Sequence, residues 1–248
     1  DSAINDHNRA PASLGVPKSL EKDSEAVDPL HNQAQADYLF LKSEMESGAG
    51  RGTESIELLK TAMIYDSESP TLMQKLSVEY YKLGNVTTAL YWAEKAFESA
   101  PERRDLALLA AGLHTSNKNF TKAEDIYKKL VKHDADDMEA LLYLGAVYTE
   151  LKNYSKAIET FKTVAQNKEY NSKHLAHYYL ARVYAEQNSK NSKHIKEELN
   201  KAIAIKPDFF EASLTLVIPT SITMAPCFTI SAFKNSAFPR AATIISAS

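Results

Sequence analysis

Cysteine is nearly absent from this 248-residue chain. Cys227 stands alone, so no internal disulfide can staple the fold, and pairing says nothing of the redox compartment. Glycine is scarce too, with seven residues in the whole chain, while helix-forming residues abound. Neither sign of charge dominates: 29 Lys and Arg stand against 32 Asp and Glu, a net charge of −3. That balance carries no nucleic-acid or polyanion signature, so no nucleic-acid partner is expected. No secretory signal is visible at the N-terminus. The chain opens at Asp1 without a methionine, and the expectation is that something before it was removed.

Catalytic constellations are missing as well. Asp and Glu are plentiful, but none pairs with a His or Lys in a recognisable arrangement, so no enzyme and no catalytic residue are expected. Gly48-Ala49-Gly50-Arg51-Gly52 resembles a phosphate loop only superficially. It lacks the Gly-Lys-Ser/Thr ending and a preceding strand, which speaks against a nucleotide or other cofactor. His174 and His177 lie three apart on a helical stretch, a spacing that suits a metal, but no third ligand accompanies them. Packing is the preferred reading, and no metal is expected.

What the chain does contain is a repeat. Within Met138–Asn171, Leu141, Leu144, Gly145 and Tyr148 share one face of a first helix, and Ala157, Ile158, Phe161 and Val164 share one face of a second. Leu151-Lys152-Asn153-Tyr154 is a turn between them, with Ser155 read as the N-cap of the second helix. Gly145 and Ala157 are small so that two antiparallel helices can approach closely. The pattern recurs at a spacing of 34. Ser155 steps back to Thr121, Thr87 and Thr53; Ala157 to Ala123, Ala89 and Ser55; Gly145 to Ala111, Ser77 and Ser43; Phe161 to Tyr127, Ala93 and Leu59. One hairpin cannot bury both of its faces, so repeated hairpins must stack on one another.

Leu144-Gly145…Tyr148…Ala157…Phe161 and Leu76…Tyr80…Ala89…Ala96…Pro101 resemble the tetratricopeptide repeat (TPR) family, over roughly Ala36–Leu216. The resemblance implies an all-α fold: an α-solenoid of antiparallel helix pairs, about five units in a right-handed superhelix.

In chain order, residues 1–35 are polar and proline-bearing and read as a disordered leader. The units follow at 36–69, 70–103, 104–137, 138–171 and 174–209. The first is irregular, with Lys42 and Glu46 where the family has large apolar residues, as expected of a capping repeat. Tyr38, Leu39, Leu41 and Met45 belong to its first helix. Pro70 suits the first position of a helix and Pro101 stops one. Trp92 is expected to pack against a neighbouring unit, and His114 to be an interior histidine. Thr121-Lys122-Ala123-Glu124 fits a capping box. Asn85-Val86-Thr87, Asn119-Phe120-Thr121 and Asn153-Tyr154-Ser155 match glycosylation sequons. They recur at 34 because each is a turn and helix cap, so glycosylation is discounted. The fifth unit has a longer turn, Gln187–Ser192.

Residues 212–248 are aberrant: rich in Ser, Thr, Ala and Ile, with Lys234 and Arg240 the only charges. The segment starts as the truncated first helix of a sixth repeat. Three readings compete: a membrane anchor over 212–233, an irregular cap, and a reading frame lost near Val217. The third is preferred.

The resemblance implies that first helices line a concave groove. Its lining would include Gln74, Val78, Tyr81 and Lys82, then Leu108 and Gly112, then Leu142, Ala146 and Thr149, then Tyr178 and Arg182. No cluster of Lys, Arg and Asn is there to hold a carboxylate. The expected function is a protein-interaction scaffold taking a partner peptide or helix in that groove, with bacterial envelope or pilus assembly as the narrower expectation. A tail-anchored membrane adaptor using 212–233 and a regulatory module of an enzyme complex are the alternatives. Envelope is favoured over cytoplasm, membrane contact is left open, and end-to-end self-association is a further expectation because an incomplete sixth unit leaves apolar surface.

Overall fold

The computed structural model describes residues 29–187 and 192–217. Among them are eleven helices and no strand. The helices pair in sequence: α1 (Pro29–Gly48) with α2 (Gly52–Tyr65), α3 (Pro70–Lys82) with α4 (Val86–Ser99), α5 (Arg104–Ser116) with α6 (Phe120–His133), α7 (Met138–Glu150) with α8 (Tyr154–Gln166), and α9 (Lys173–Gln187) with α10 (Ser192–Ile205). The helix α11 (Phe210–Val217) opens a sixth pair. This is an all-α solenoid of helix hairpins. The leader is shorter than its composition suggests, because Pro29–Gln35 already belong to α1. Proline is welcome in a first helical turn, where its missing N–H has no partner to lose. Residues 1–28, the centre of the long turn and the tail beyond Val217 lie outside the described residues.

The turn inside each hairpin is built the same way four times. Gly50, Gly84, Lys118 and Lys152 all have positive φ, at +78°, +79°, 60° and 59°, and they are spaced by 34. Each ends a first helix with a pair of backbone bonds. Gly84 N–H donates to Tyr81 C=O and Asn85 N–H to Tyr80 C=O; Asn119 N–H donates to His114 C=O and Asn153 N–H to Tyr148 C=O, both at 2.8 Å. This double bond pattern satisfies the last carbonyls of the first helix. The asparagine that follows then starts the second helix. Asn85 Oδ1 accepts from Thr88 N–H at 3.1 Å, and Asn153 Oδ1 from Lys156 N–H at 3.4 Å. The caps are therefore asparagines at α4, α6 and α8 and Arg51 at α2, each two residues before the hydroxyl picked out from sequence. Ser155 and Thr121 lie inside α8 and α6, and the N-cap of α6 is Asn119, without a side-chain cap bond. The hydroxyls sit too far into the helix to reach its free N–H groups.

Two expected outcomes follow. Asn85→Ala loses about 1 kcal/mol of stability, a typical cap deletion. Lys118→Gly and Lys152→Gly each gain roughly 0.5–1 kcal/mol, because a left-handed conformation strains lysine by more than glycine loses in chain entropy. Thermal or urea unfolding of the single variants checks both, and a destabilised Lys152→Gly would contradict the turn geometry.

The chain divides into two compact units, one running to Leu113 and the other starting at His114. In the first unit, Ile56, Leu59, Leu72, Leu76, Trp92, Ala96 and Leu106 form one core drawn from three successive repeats. Trp92 packs there as expected. In the second unit, the Phe161 and Tyr179 rings stack at 5.4 Å between α8 and α9, and Tyr127 meets Tyr143 at 5.7 Å between α6 and α7. Ala181, Leu199, Ala202, Phe209 and Ala212 close its far end. The small positions of the repeat are all buried: Ser43, Ser77 and Ala111 in first helices, Ser55, Ala89, Ala123 and Ala157 in second helices. Gly145 shows why they are small. A Cβ there would stand 2.7–2.9 Å from three atoms of the Phe161 ring.

Candidate functional site

The residues assigned to the groove fall into registers one repeat apart. Gln74, Leu108, Leu142 and Tyr178 hold one position; Val78, Gly112, Ala146 and Arg182 hold another. Val78, Leu108, Gly112, Leu142, Ala146, Thr149 and Arg182 are buried, and therefore do not form an open lining. The cause is visible in composition. Leu106 to Thr115 on α5 and Ala140 to Thr149 on α7 are buried without interruption. Apart from His114, both stretches are apolar or small on every side, and a helix apolar all round is enclosed rather than half exposed. Thr149 is occupied as well, its hydroxyl donating to Gly145 C=O at 2.9 Å.

Accessible side chains remain on the outer first helices. In the first unit, α3 presents half-buried Gln74 and Tyr81 and exposed Lys82. Gln74 is held by its neighbours. Its amide donates to Asp105 Oδ2 at 3.0 Å, and its carbonyl accepts from Arg103 at 3.1 Å, while Arg103 also reaches Thr71 and Asp105. The Arg103 guanidinium, with the Gln74 amide, outweighs the effect of burial and holds the Asp105 carboxyl below the ordinary range. This side of α3 is a fixed polar surface that links two repeats.

Lys82 belongs to a second network. It donates to Ser47 and to the Glu79 carboxylate, both at 2.8 Å. Lys75 also pairs with Glu79, at 3.2 Å, and with Glu44. Glu79 is 1 % exposed. Burial pushes its carboxyl up, but the bonds from Lys82 and Ser47 and the charges of Lys75 and Lys82 together hold it below the ordinary range. Nothing in the sequence reading singled out Glu79. The signal for it is that its counterparts at the same register, Leu113 and Val147, are apolar.

In the second unit, α9 presents half-buried Tyr178, whose ring meets Phe209 edge-on at 5.2 Å. Arg182 lies 3.9 Å from Glu186. Burial, with Glu150 nearby, pushes the Glu186 carboxyl up against the pull of Arg182. The two helix histidines part ways. His174 is buried against Phe209, and burial lowers its pKa; His177 pairs with Glu198 at 2.6 Å. Among the described residues no three His, Cys, Asp or Glu side chains gather as a metal site would require. No helix among them is long and apolar enough to cross a membrane. A shallow depression of about 430 Å³ lies between α1 and α2, lined by Lys42, Glu46, Thr53, Glu54, Glu57 and Leu58. The irregular residues Lys42 and Glu46 are thus on its rim.

Residues 82–164 match the family model of the anaphase-promoting complex (cyclosome) subunit 3. No curated protein matches the sequence. Solved structures do. A tetratricopeptide repeat protein from Parabacteroides merdae is similar with a TM-score of 0.65 at 21 % identity, covering 76 % of this chain and 73 % of that one. YrrB, described as a TPR protein with an unusual peptide-binding site, is similar with a TM-score of 0.59 at 20 % identity, over 75 % of this chain and 94 % of its own. MamA from Desulfovibrio magneticus gives 0.62 at 16 % identity, over 71 % and 97 %.

Proposed function

We propose that the chain is a tetratricopeptide-repeat protein and, on that premise, a non-enzymatic scaffold that holds a protein partner, as a peptide or helix, against the first helices of its repeats. The observation that carries this reading is the accessible polar and aromatic side chains on the outer first helices: Gln74, Tyr81 and Lys82 on α3, and Tyr178 on α9. Tyrosine offers contact area at little entropic cost and a hydroxyl to bond, which is why it recurs at binding centres. Arg103 and Asp105 hold Gln74 in place, so part of the α3 surface is ordered before a partner arrives. The similarity to YrrB, described as having a peptide-binding site, lends support. The buried members of the groove set act by shaping this layer and not by touching a ligand.

The partner chemistry is a peptide with apolar anchors and a few basic residues, because the first helices offer half-buried tyrosines and also expose acids such as Glu150. Selection from a random peptide library on the immobilised full chain tests this. Peptides enriched on the native chain are expected to lose at least tenfold in affinity with Tyr81→Ala where they sit on the first unit, and with Tyr178→Ala where they sit on the second. Equal binding by both variants would place the site elsewhere. The reading extends to the bacterial envelope, in the assembly of structures such as pili, supported by the polar composition of residues 1–28 alone. Fractionation of the source cells tests that, and recovery with cytoplasmic markers would end it.

A further inference from the structure

The first helix of the first repeat differs from every first helix after it. Tyr38, Leu41 and Met45 hold a register whose counterparts, one repeat on, are Leu72, Lys75 and Glu79 on α3. The α5 counterparts are Leu106, Leu109 and Leu113; those on α7 are Ala140, Tyr143 and Val147; those on α9 are Ala176, Tyr179 and Val183. On α3, α5, α7 and α9 these residues are buried, apart from half-buried Lys75. Where contacts are seen, the preceding repeat does the covering. Ser47 and Glu44 of α1 reach Glu79 and Lys75, Tyr127 of α6 covers Tyr143, and Phe161 of α8 covers Tyr179. On α1 the same register is open: Tyr38 is 61 % exposed, Leu41 63 % and Met45 74 %. Leu30, about two turns of helix earlier on the same stripe, is exposed as well. A repeat that ends an array in water carries polar residues on this face. This one carries the residues of a repeat–repeat interface.

The other end of the array is open too. Phe210 is 79 % exposed and Leu214, one turn on, is 55 % exposed, although the opposite face of α11 is buried through Ala212 and Thr215. An apolar stripe on α1 of the first unit and a one-turn apolar patch on α11 of the second are therefore both exposed. The charges favour joining unlike ends. The described part of the first unit holds eight Lys and Arg against twelve Asp and Glu, and that of the second holds fifteen against fourteen. Two first units brought together would repel, whereas a first unit meeting a second would not.

We infer that the chain associates head to tail with a second copy of itself, the Leu30–Tyr38–Leu41–Met45 stripe of α1 seating on the Phe210–Leu214 stripe of α11 of the next copy. The contact is heterologous, so a pair of copies keeps one free stripe of each kind and association continues past two copies. The inference is independent of the proposed partner site, since neither stripe includes Tyr81 or Tyr178.

The test uses the full chain in sedimentation velocity over a hundredfold concentration range. The native chain is expected to rise in mass with concentration beyond a dimer. Leu41→Glu/Met45→Glu blocks one end and Phe210→Glu/Leu214→Glu the other, and each alone is expected to stay monomeric. All four residues are exposed, so unchanged circular dichroism and thermal midpoint confirm that the variants fold. Mixed in equal amounts, the two variants retain one good end each and are expected to form a dimer that grows no further. A native chain that is monomeric throughout would overturn the inference. So would an α1 variant that is monomeric while the α11 variant still dimerises, which would mean symmetric pairing through α1. A lowered thermal midpoint for the α1 variant in a monomeric native chain would also overturn it, because the stripe would then be covered by the chain's own residues.

Discussion

Gly145→Leu is expected to lower stability by about 3 kcal/mol, the upper end for an overpacked helix crossing. Even the single carbon of Gly145→Ala would press into the Phe161 ring at 2.7–2.9 Å. That ring cannot step aside. It is fully buried and stacked on Tyr179, so movement would disturb the junction of α8 with α9. Alanine is a better helix former than glycine by about 1 kcal/mol, so Gly145→Ala would stabilise α7 if helix propensity decided the outcome. The contact decides it, and the variant is expected to be less stable than the native chain. The complement is Phe161→Ala, with a loss of about 3–5 kcal/mol from the buried volume it empties. Urea unfolding measures all three. A double variant, Gly145→Ala with Phe161→Leu, is expected to be more stable than the sum of its parts, since each change relieves the other. Additive losses would mean that the two residues do not meet.

The second large effect concerns Glu79 in the first unit. Glu79→Ala is expected to lose about 1.5–3 kcal/mol, the cost of removing charge-assisted bonds from Lys82 and Ser47. The lysines are partly exposed and regain water, which keeps the loss below that of a fully enclosed pair. The pH dependence has a definite sign. The folded carboxyl sits below its ordinary value of 4.5, so its contribution is fully present above that value and is lost as pH falls through the folded pKa. Glu198 in the second unit, held down against burial by His177 and Lys201, behaves in the same sense. The native chain is therefore expected to lose stability on acidification below about pH 4.5, and Glu79→Gln to lose less of it over the same range. Parallel profiles for native and variant chains would show that the network is not formed.

Much of this was legible in the sequence because the repeat ties residue size to geometry. Gly145, Ala157 and their equivalents are small for one steric reason, and all of them are buried. The caps were misread because Asn and Ser are both good N-caps, two positions apart in the same turn, and only backbone geometry tells them apart. Lys118 and Lys152 gave no hint of positive φ, since lysine rarely adopts it; their spacing from Gly50 and Gly84 was the available clue. The start of α1 was hidden by the polar, proline-bearing composition of residues 1–35, although a proline in a first turn starts a helix. The groove was overdrawn for another reason. Projecting a family's geometry onto α5 and α7 ignored that their buried stretches, His114 apart, are apolar or small on every side, which marks enclosure. What survives is the pair of outer surfaces, on α3 and on α9.

Amide hydrogen exchange tests that conclusion most directly. The full chain is compared free and bound to a peptide selected on it. Slowed exchange on residues 71–82 or on residues 175–186 is the expected result, with α4, α6, α8 and α10 unchanged. Protection on those second helices, with none on α3 or α9, would contradict a scaffold that binds through its first helices.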